Sequence, residues 1–221
     1  MTNDELLRQL YDLTLVGNGP AVLELTTTGL TAGLGPETLL YEALIPALEE
    51  VGARFERGDF FVPEMLIAGK AMAGALDVLR PLLAETGAES IGTVVMGTVK
   101  GDVHDIGKNL VNIMFEGAGF KVIDLGVQVP PERFVEAIVE HRPDIVGFSA
   151  FLTTTMPMFK ANINALEKAG LRDQVIVMVG GAPVTQEYAD AVGADGYASD
   201  ASAAVARAKE LLACRRAAAP A

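Results

Sequence analysis

"IGTVVMGTVKGDVHDIG", residues 91–107, reads as a strand that passes straight into a glycine-flanked acidic loop and then into a helix. From Ile91 to Val99 the apolar and β-branched residues are nearly continuous rather than alternating, the pattern of a strand covered on both faces. Similar runs follow at "FKVIDLG" (120–126), "DIVGFSA" (144–150), "QVIVMVG" (174–180) and "DGYA" (195–198). Helical stretches separate them, beginning near Ile106, Pro131, Thr155 and Val184, and a last one runs from about Asp200 to Cys214. Alternation of this kind predicts an α/β fold: a five-stranded, doubly wound parallel sheet of flavodoxin-like (Rossmann-type) architecture. In such sheets ligands gather beyond the carboxyl ends of the strands, and the unusual residues fall there. "GDVHDIG" follows the first strand, "SAFLTTT" the third, "GGAP" the fourth and "ASDAS" the fifth.

Upstream the periodicity is helical. "NDELLRQLYDLTL", "GPAVLELTTTGLTAG", "PETLLYEALIPALEEVGARF" and "VPEMLIAGKAMAGALDVLRPLLAE" each carry apolar residues three or four apart. Short connections imply antiparallel neighbours, hence a four-helix bundle. Pro36 and Pro63 suit first-turn positions, whereas Pro46 should kink the third helix. The change of pattern at "TGAES" (86–90) divides the chain into a helical domain, 1–88, and a sheet domain, 89–214, with 215–221 expected to be a disordered tail.

Composition narrows the function classes. Half of the 221 residues are apolar, enough for a real core, and the formal net charge is −12. That charge, with no clustered basic face, argues against nucleic acid. No apolar run reaches bilayer length and the acidic opening "MTNDELLRQL" is not a leader, so the expectation is a soluble cytoplasmic protein with no membrane partner. A single cysteine, Cys214, excludes an internal disulfide and any zinc site built on several thiolates, leaving histidine or carboxylate to hold a metal.

Only two histidines are present. His104 lies two residues beyond Asp102, between Gly101 and Gly107, which let the loop turn sharply. A metal-bound imidazole commonly gives its other ring N–H to a carboxylate, a part Asp102 could play. The alternative is that His104 only caps or positions the following helix. With no second histidine near, a bound metal must bring its own ligands, as a macrocycle does, leaving one axial position to the protein. His141 is expected to terminate a helix. "GTVKG" lacks the ending of a phosphate-cradling P-loop, and Gly180–Gly181 also serves as a plain strand-to-helix turn. Met65, Met72, Phe55, Phe60 and Phe61 are by default core residues.

"DVHDIG" (Asp102, Val103, His104, Asp105, Ile106, Gly107) resembles the D-x-H-x-x-G signature of corrinoid (vitamin B12) binding domains, joined in the same order by "SAF" from Ser149 and by Gly180–Gly181. "GARFERGDFFVPEML" is similar to the helical cap of cobalamin-dependent methionine synthase and of methyltransferase corrinoid proteins. The resemblance implies a cobalamin or related cobamide cofactor, with His104 as lower axial ligand of cobalt in a base-off, His-on state and Asp102 holding the imidazole. It implies a nucleotide tail threaded among Ser149, Thr153, Gly180, Gly181 and the loop around Ala201, with Phe55, Val62 and Met65 over the upper face. Phe151 stands where the signature has leucine, a change expected to reshape the tail channel. Thr155 falls where methionine synthase has the serine of an Asp-His-Ser relay; its reach to Asp102 is not set by sequence.

The function so implied is that of a corrinoid methyl carrier, non-catalytic alone. It would take a methyl group from a substrate-specific methyltransferase, hold it as methylcobalamin, and yield it to a second methyltransferase serving tetrahydrofolate or coenzyme M, with a reductive activase as a third partner. The cap would have to move for transfer, with "TGAES" as hinge. Alternatives are the small subunit of an adenosylcobalamin-dependent mutase, a cobalamin-sensing regulatory module, and a cofactor-free response-regulator-like domain.

Overall fold

Residues 1–86 and 90–218 are described in the computed structural model of the chain. Among them two compact units separate: Met1–Ile91 with Ile113–Gly119, and Gly92–Asn112 with Phe120 onward. The expected boundary at 88/89 and the middle of the expected hinge lie outside the described residues.

The first unit is helical. Its α1 (Asn3–Leu15) opens with a reciprocal cap, Thr2 accepting from the Glu5 N–H while the Glu5 carboxylate accepts from the Thr2 N–H. Then come α2 (Gly19–Thr31), capped by Asn18, α3 (Pro36–Leu39), α4 (Ile45–Glu56) and α5 (Val62–Thr86). Pro36 occupies the first helical position of α3 and Pro63 the second residue of α5, as their missing N–H groups favour. The irregularity expected at Pro46 takes the form of a π-helical turn, Leu40–Leu44, which joins α3 to α4 just before the proline. Proline cannot donate to the carbonyl four residues back, and a widened turn is one way to accommodate that loss. Leu10, Val22, Leu44, Leu48, Met65 and Met72 are buried, as the apolar spacing implies. Phe61 is not: it is 65 % exposed, and Val62 and Ile67 are exposed with it.

The second unit is a parallel sheet in the order β2-β1-β3-β4-β5, with β1 Thr93–Thr98, β2 Lys121–Asp124, β3 Ile145–Ser149, β4 Ile176–Gly180 and β5 Gly196–Tyr197. Every expected strand forms, and the order is that of a flavodoxin-like sheet. Connecting helices are α6 (Ile106–Gly117), α7 (Pro131–His141), α8 (Pro157–Lys168) and α9 (Gln186–Val192). Val95, Val146, Phe148, Val177 and Val179 of the strands pack with Phe134, Ile138, Phe159, Ile163 and Val192 of α7, α8 and α9.

Three boundaries differ from the sequence expectation. The helix α8 begins at Pro157 rather than Thr155, because the Thr155 hydroxyl is engaged elsewhere and proline suits a first turn. Similarly, α9 begins after Thr185, whose hydroxyl caps it by accepting from Tyr188 N–H. The last helix, α10 (Ala201–Ala218), runs past Cys214, so 215–218 are helical rather than a disordered tail. Alanine favours helix, and Arg215 donates to the Asp173 carbonyl while Arg216 lies 3.8 Å from Asp144. No helix among the described residues is long and apolar enough to cross a membrane.

Phe134 is fully buried and meets Phe148 edge-on at 4.7 Å between centroids. Phe134→Ala should therefore cost about 3–5 kcal/mol, read as a lower urea midpoint.

Candidate cofactor site

The parallel register aligns Thr98, Ser149 and Gly180 across β1, β3 and β4, so the loops that follow them leave from one edge. After β1 the chain turns back at once: Asp102 N–H donates to Val99 O at 3.1 Å, with Gly101 at φ +86°, a conformation glycine adopts without strain. That turn delivers the Asp102 side chain into the protein, where it is fully buried.

Five donors meet this carboxylate. Its Oδ1 accepts from the His104 backbone N–H at 3.1 Å and faces His104 Nδ1 at 2.8 Å. Its Oδ2 accepts from Phe151 N–H at 2.8 Å, Leu152 N–H at 3.2 Å and the Thr155 hydroxyl at 2.7 Å. Burial alone pushes a carboxyl upward, but the Thr155 hydroxyl, the His104 N–H groups and the Phe151 N–H outweigh it and hold Asp102 well below the usual carboxylate range. An ionised carboxylate only accepts, so the network assigns the imidazole proton to Nδ1. Nε2 is then the lone-pair nitrogen, and among the described residues it makes no hydrogen bond. The imidazole side chain is 44 % exposed.

His104 is therefore not a helix cap. The first turn of α6 is closed by Asn109 N–H to Asp105 O at 2.7 Å, while His104 bonds backwards to Asp102. Gly107, expected to help turn the loop, is already the second residue of α6, with open space at its α-carbon. Val103, Phe151 and Leu152 in these two loops and Ile106 at the first position of α6 are all exposed large apolar residues, and the Phe151 ring stacks on the imidazole at 4.5 Å and 29°.

The remaining expected residues divide. Ser149 and Gly180 are half-buried at the strand ends, Thr153 is exposed, and Ala201 is buried at the start of α10. The two glycines differ physically: a Cβ on Gly180 meets nothing within 4 Å, whereas one on Gly181, at φ +129°, would fall 1.9 Å from the Ala150 carbonyl oxygen. Phe55, Val62 and Met65 belong to the helical unit, where Phe55 is half-buried, Val62 exposed and Met65 fully enclosed. His141 ends α7, ahead of a left-handed Arg142.

Sequence reasoning missed three supports. Thr98, fully buried, donates to the His104 carbonyl at 3.1 Å. Gln128 N–H donates to the Asp102 carbonyl at 3.0 Å from a left-handed backbone, φ 55°. The buried ammonium of Lys108 pairs with Asp124, tying the first turn of α6 to the end of β2. A lysine inside an apolar helical stretch was the one signal available for the last.

This donor set fits a metal that arrives with a macrocycle. Among the described residues no three His, Cys, Asp or Glu side chains gather into a metal cage. What the edge offers is one exposed imidazole nitrogen, oriented through its partner nitrogen, beside apolar surface and an open glycine.

Comparison with known proteins agrees. The model of the B12 binding domain matches residues 92–206, and a second B12 binding domain model matches residues 6–80. The chain is 44 % identical to dimethylamine corrinoid protein 1 of Methanosarcina acetivorans, over 96 % of this chain and 100 % of the relative. It is 40 % identical to trimethylamine corrinoid protein 1 of the same organism, over 96 % and 99 %. Among solved structures, the methanol:cobalamin methyltransferase complex MtaBC of Methanosarcina barkeri aligns with a TM-score of 0.84 at 28 % identity, covering 99 % of this chain and 86 % of the other. The chain belongs to the family of corrinoid proteins built on B12 binding domains.

Two outcomes test the geometry. Thr155→Val removes one donor to a buried charge and should cost ~1.5–3 kcal/mol in urea unfolding at neutral pH. Because the folded pKa of Asp102 is depressed, its stabilisation is complete above the unfolded value, about 3.9, and is lost as pH falls below it; the variant's deficit should shrink accordingly. Gly181→Ala should destabilise apo-protein by several kcal/mol, whereas Gly180→Ala should stay within about 1 kcal/mol.

Proposed function

We propose that this chain is a corrinoid methyl carrier in which His104 Nε2 is the lower axial ligand. Its methyl group comes from a methylamine through a substrate-specific methyltransferase and leaves to a second methyltransferase serving tetrahydrofolate or coenzyme M, with a reductive activase maintaining the system. The observation that carries the reading is the Asp102–His104 bond, which leaves Nε2 free on an exposed ring. Support for a methylamine donor comes from the dimethylamine and trimethylamine corrinoid proteins, similar over nearly their whole length.

A bound corrinoid supplies a cobalt centre able to accept and release a methyl group. The chain's own residues set the conditions. Asp102 keeps the proton on Nδ1, which leaves the lone pair on Nε2 and sets its direction. Thr155 and the Phe151 and Leu152 N–H groups immobilise Asp102 from the opposite loop, so the imidazole is held from two strand ends at once. Ser149 offers a hydroxyl and Gly180 open space where an extended polar tail can approach backbone closely.

His104→Ala, loaded with hydroxocobalamin, reduced, and mixed with a dimethylamine methyltransferase and dimethylamine, should show methyl transfer to the protein-bound cobamide at least about tenfold slower than wild type. Equal rates, or no transfer to the wild-type protein, would count against the proposal.

A further inference from the structure

We infer that Phe151 is a positioning residue that holds the plane of the His104 imidazole ready for axial ligation. The inference rests on the functional reading above. The hydrogen bond from Nδ1 to Asp102 sets the direction of the imidazole but tolerates some tilt of the ring plane about that contact. A flat face laid on the ring removes this freedom. Phe151 supplies that face, its centroid 4.5 Å from the imidazole centroid and its plane 29° away.

Both constraints pass through one residue. The Phe151 N–H donates to Asp102 Oδ2 at 2.8 Å while its ring lies on the imidazole that Asp102 Oδ1 holds. The loop after β3 thus grips the carboxylate with its backbone and the imidazole with a side chain. Phe151 is 52 % exposed, so core packing does not account for an aromatic ring here. Leucine offers a similar apolar volume without a face to stack, so the aromatic ring adds orientation rather than hydrophobicity.

The test pairs ring-proton NMR of apo-protein with hydroxocobalamin affinity by equilibrium dialysis, on wild type, Phe151→Leu, Phe151→Tyr, His104→Ala and the Phe151→Leu/His104→Ala pair. With only two histidines, His141 is the internal reference. In wild type and Phe151→Tyr the His104 ring protons should be displaced by the stacked ring, and in Phe151→Leu the displacement should vanish while His141 stays unmoved. Phe151→Leu should bind hydroxocobalamin roughly 2- to 12-fold more weakly, with Phe151→Tyr restoring affinity. In the His104→Ala background the same substitution should change nothing, because Phe151 acts through the imidazole. Unchanged affinity in Phe151→Leu, or a loss that persists without His104, overturns the inference while leaving the carrier reading in place. A wild-type protein that takes up no hydroxocobalamin overturns both.

Discussion

The site depends on one buried carboxylate. Asp102 sits in a fully enclosed position, where an unpartnered charge would be strongly unfavourable, and it is tolerated because five donors converge on its two oxygens. Three come from the loop after β3 and two from its own loop after β1. The carboxylate therefore works as a rivet between neighbouring strand ends, and the imidazole it holds inherits the rigidity of the sheet beneath. Removing a donor leaves a buried charge less compensated, so stability and imidazole orientation are linked through the same group.

The sheet determines what else can stand at that edge. Parallel register brings Thr98, Ser149 and Gly180 level, and each strand end contributes differently: Thr98 holds the His104 carbonyl, Ser149 presents a hydroxyl, and Gly180 leaves space. Gly181 has another duty, since its α-carbon passes too close to the Ala150 carbonyl for any side chain. A pair of glycines that looks uniform in sequence thus combines one position open to a ligand with one required by the backbone.

Much of this was legible beforehand, for identifiable reasons. Near-continuous β-branched runs alternating with helices define a covered parallel sheet, and Asp102 and His104 two apart in a turning loop suggest a carboxylate-oriented imidazole. Helix starts at α8 and α9 were misplaced by two residues because Thr155 and Thr185 spend their hydroxyls on Asp102 and on a cap, choices that periodicity does not record. Residues 215–218 are helical because arginine and alanine both have high helix propensity, while 219–221 of the expected tail lie outside the described residues. Exposed Phe61 defied the default that aromatics at helical spacing are core. Thr98 and Gln128 gave no local signal: their roles arise only when distant strand ends meet.

The most direct measurement is the electron paramagnetic resonance spectrum of the protein, labelled throughout with the heavy nitrogen isotope and loaded with cob(II)alamin carrying ordinary nitrogen. Ligation by His104 predicts that each axial cobalt line is split into a doublet, and that the doublet disappears in His104→Ala. A triplet, the mark of the cofactor's own base still on the metal, or lines with no nitrogen splitting, would contradict the account.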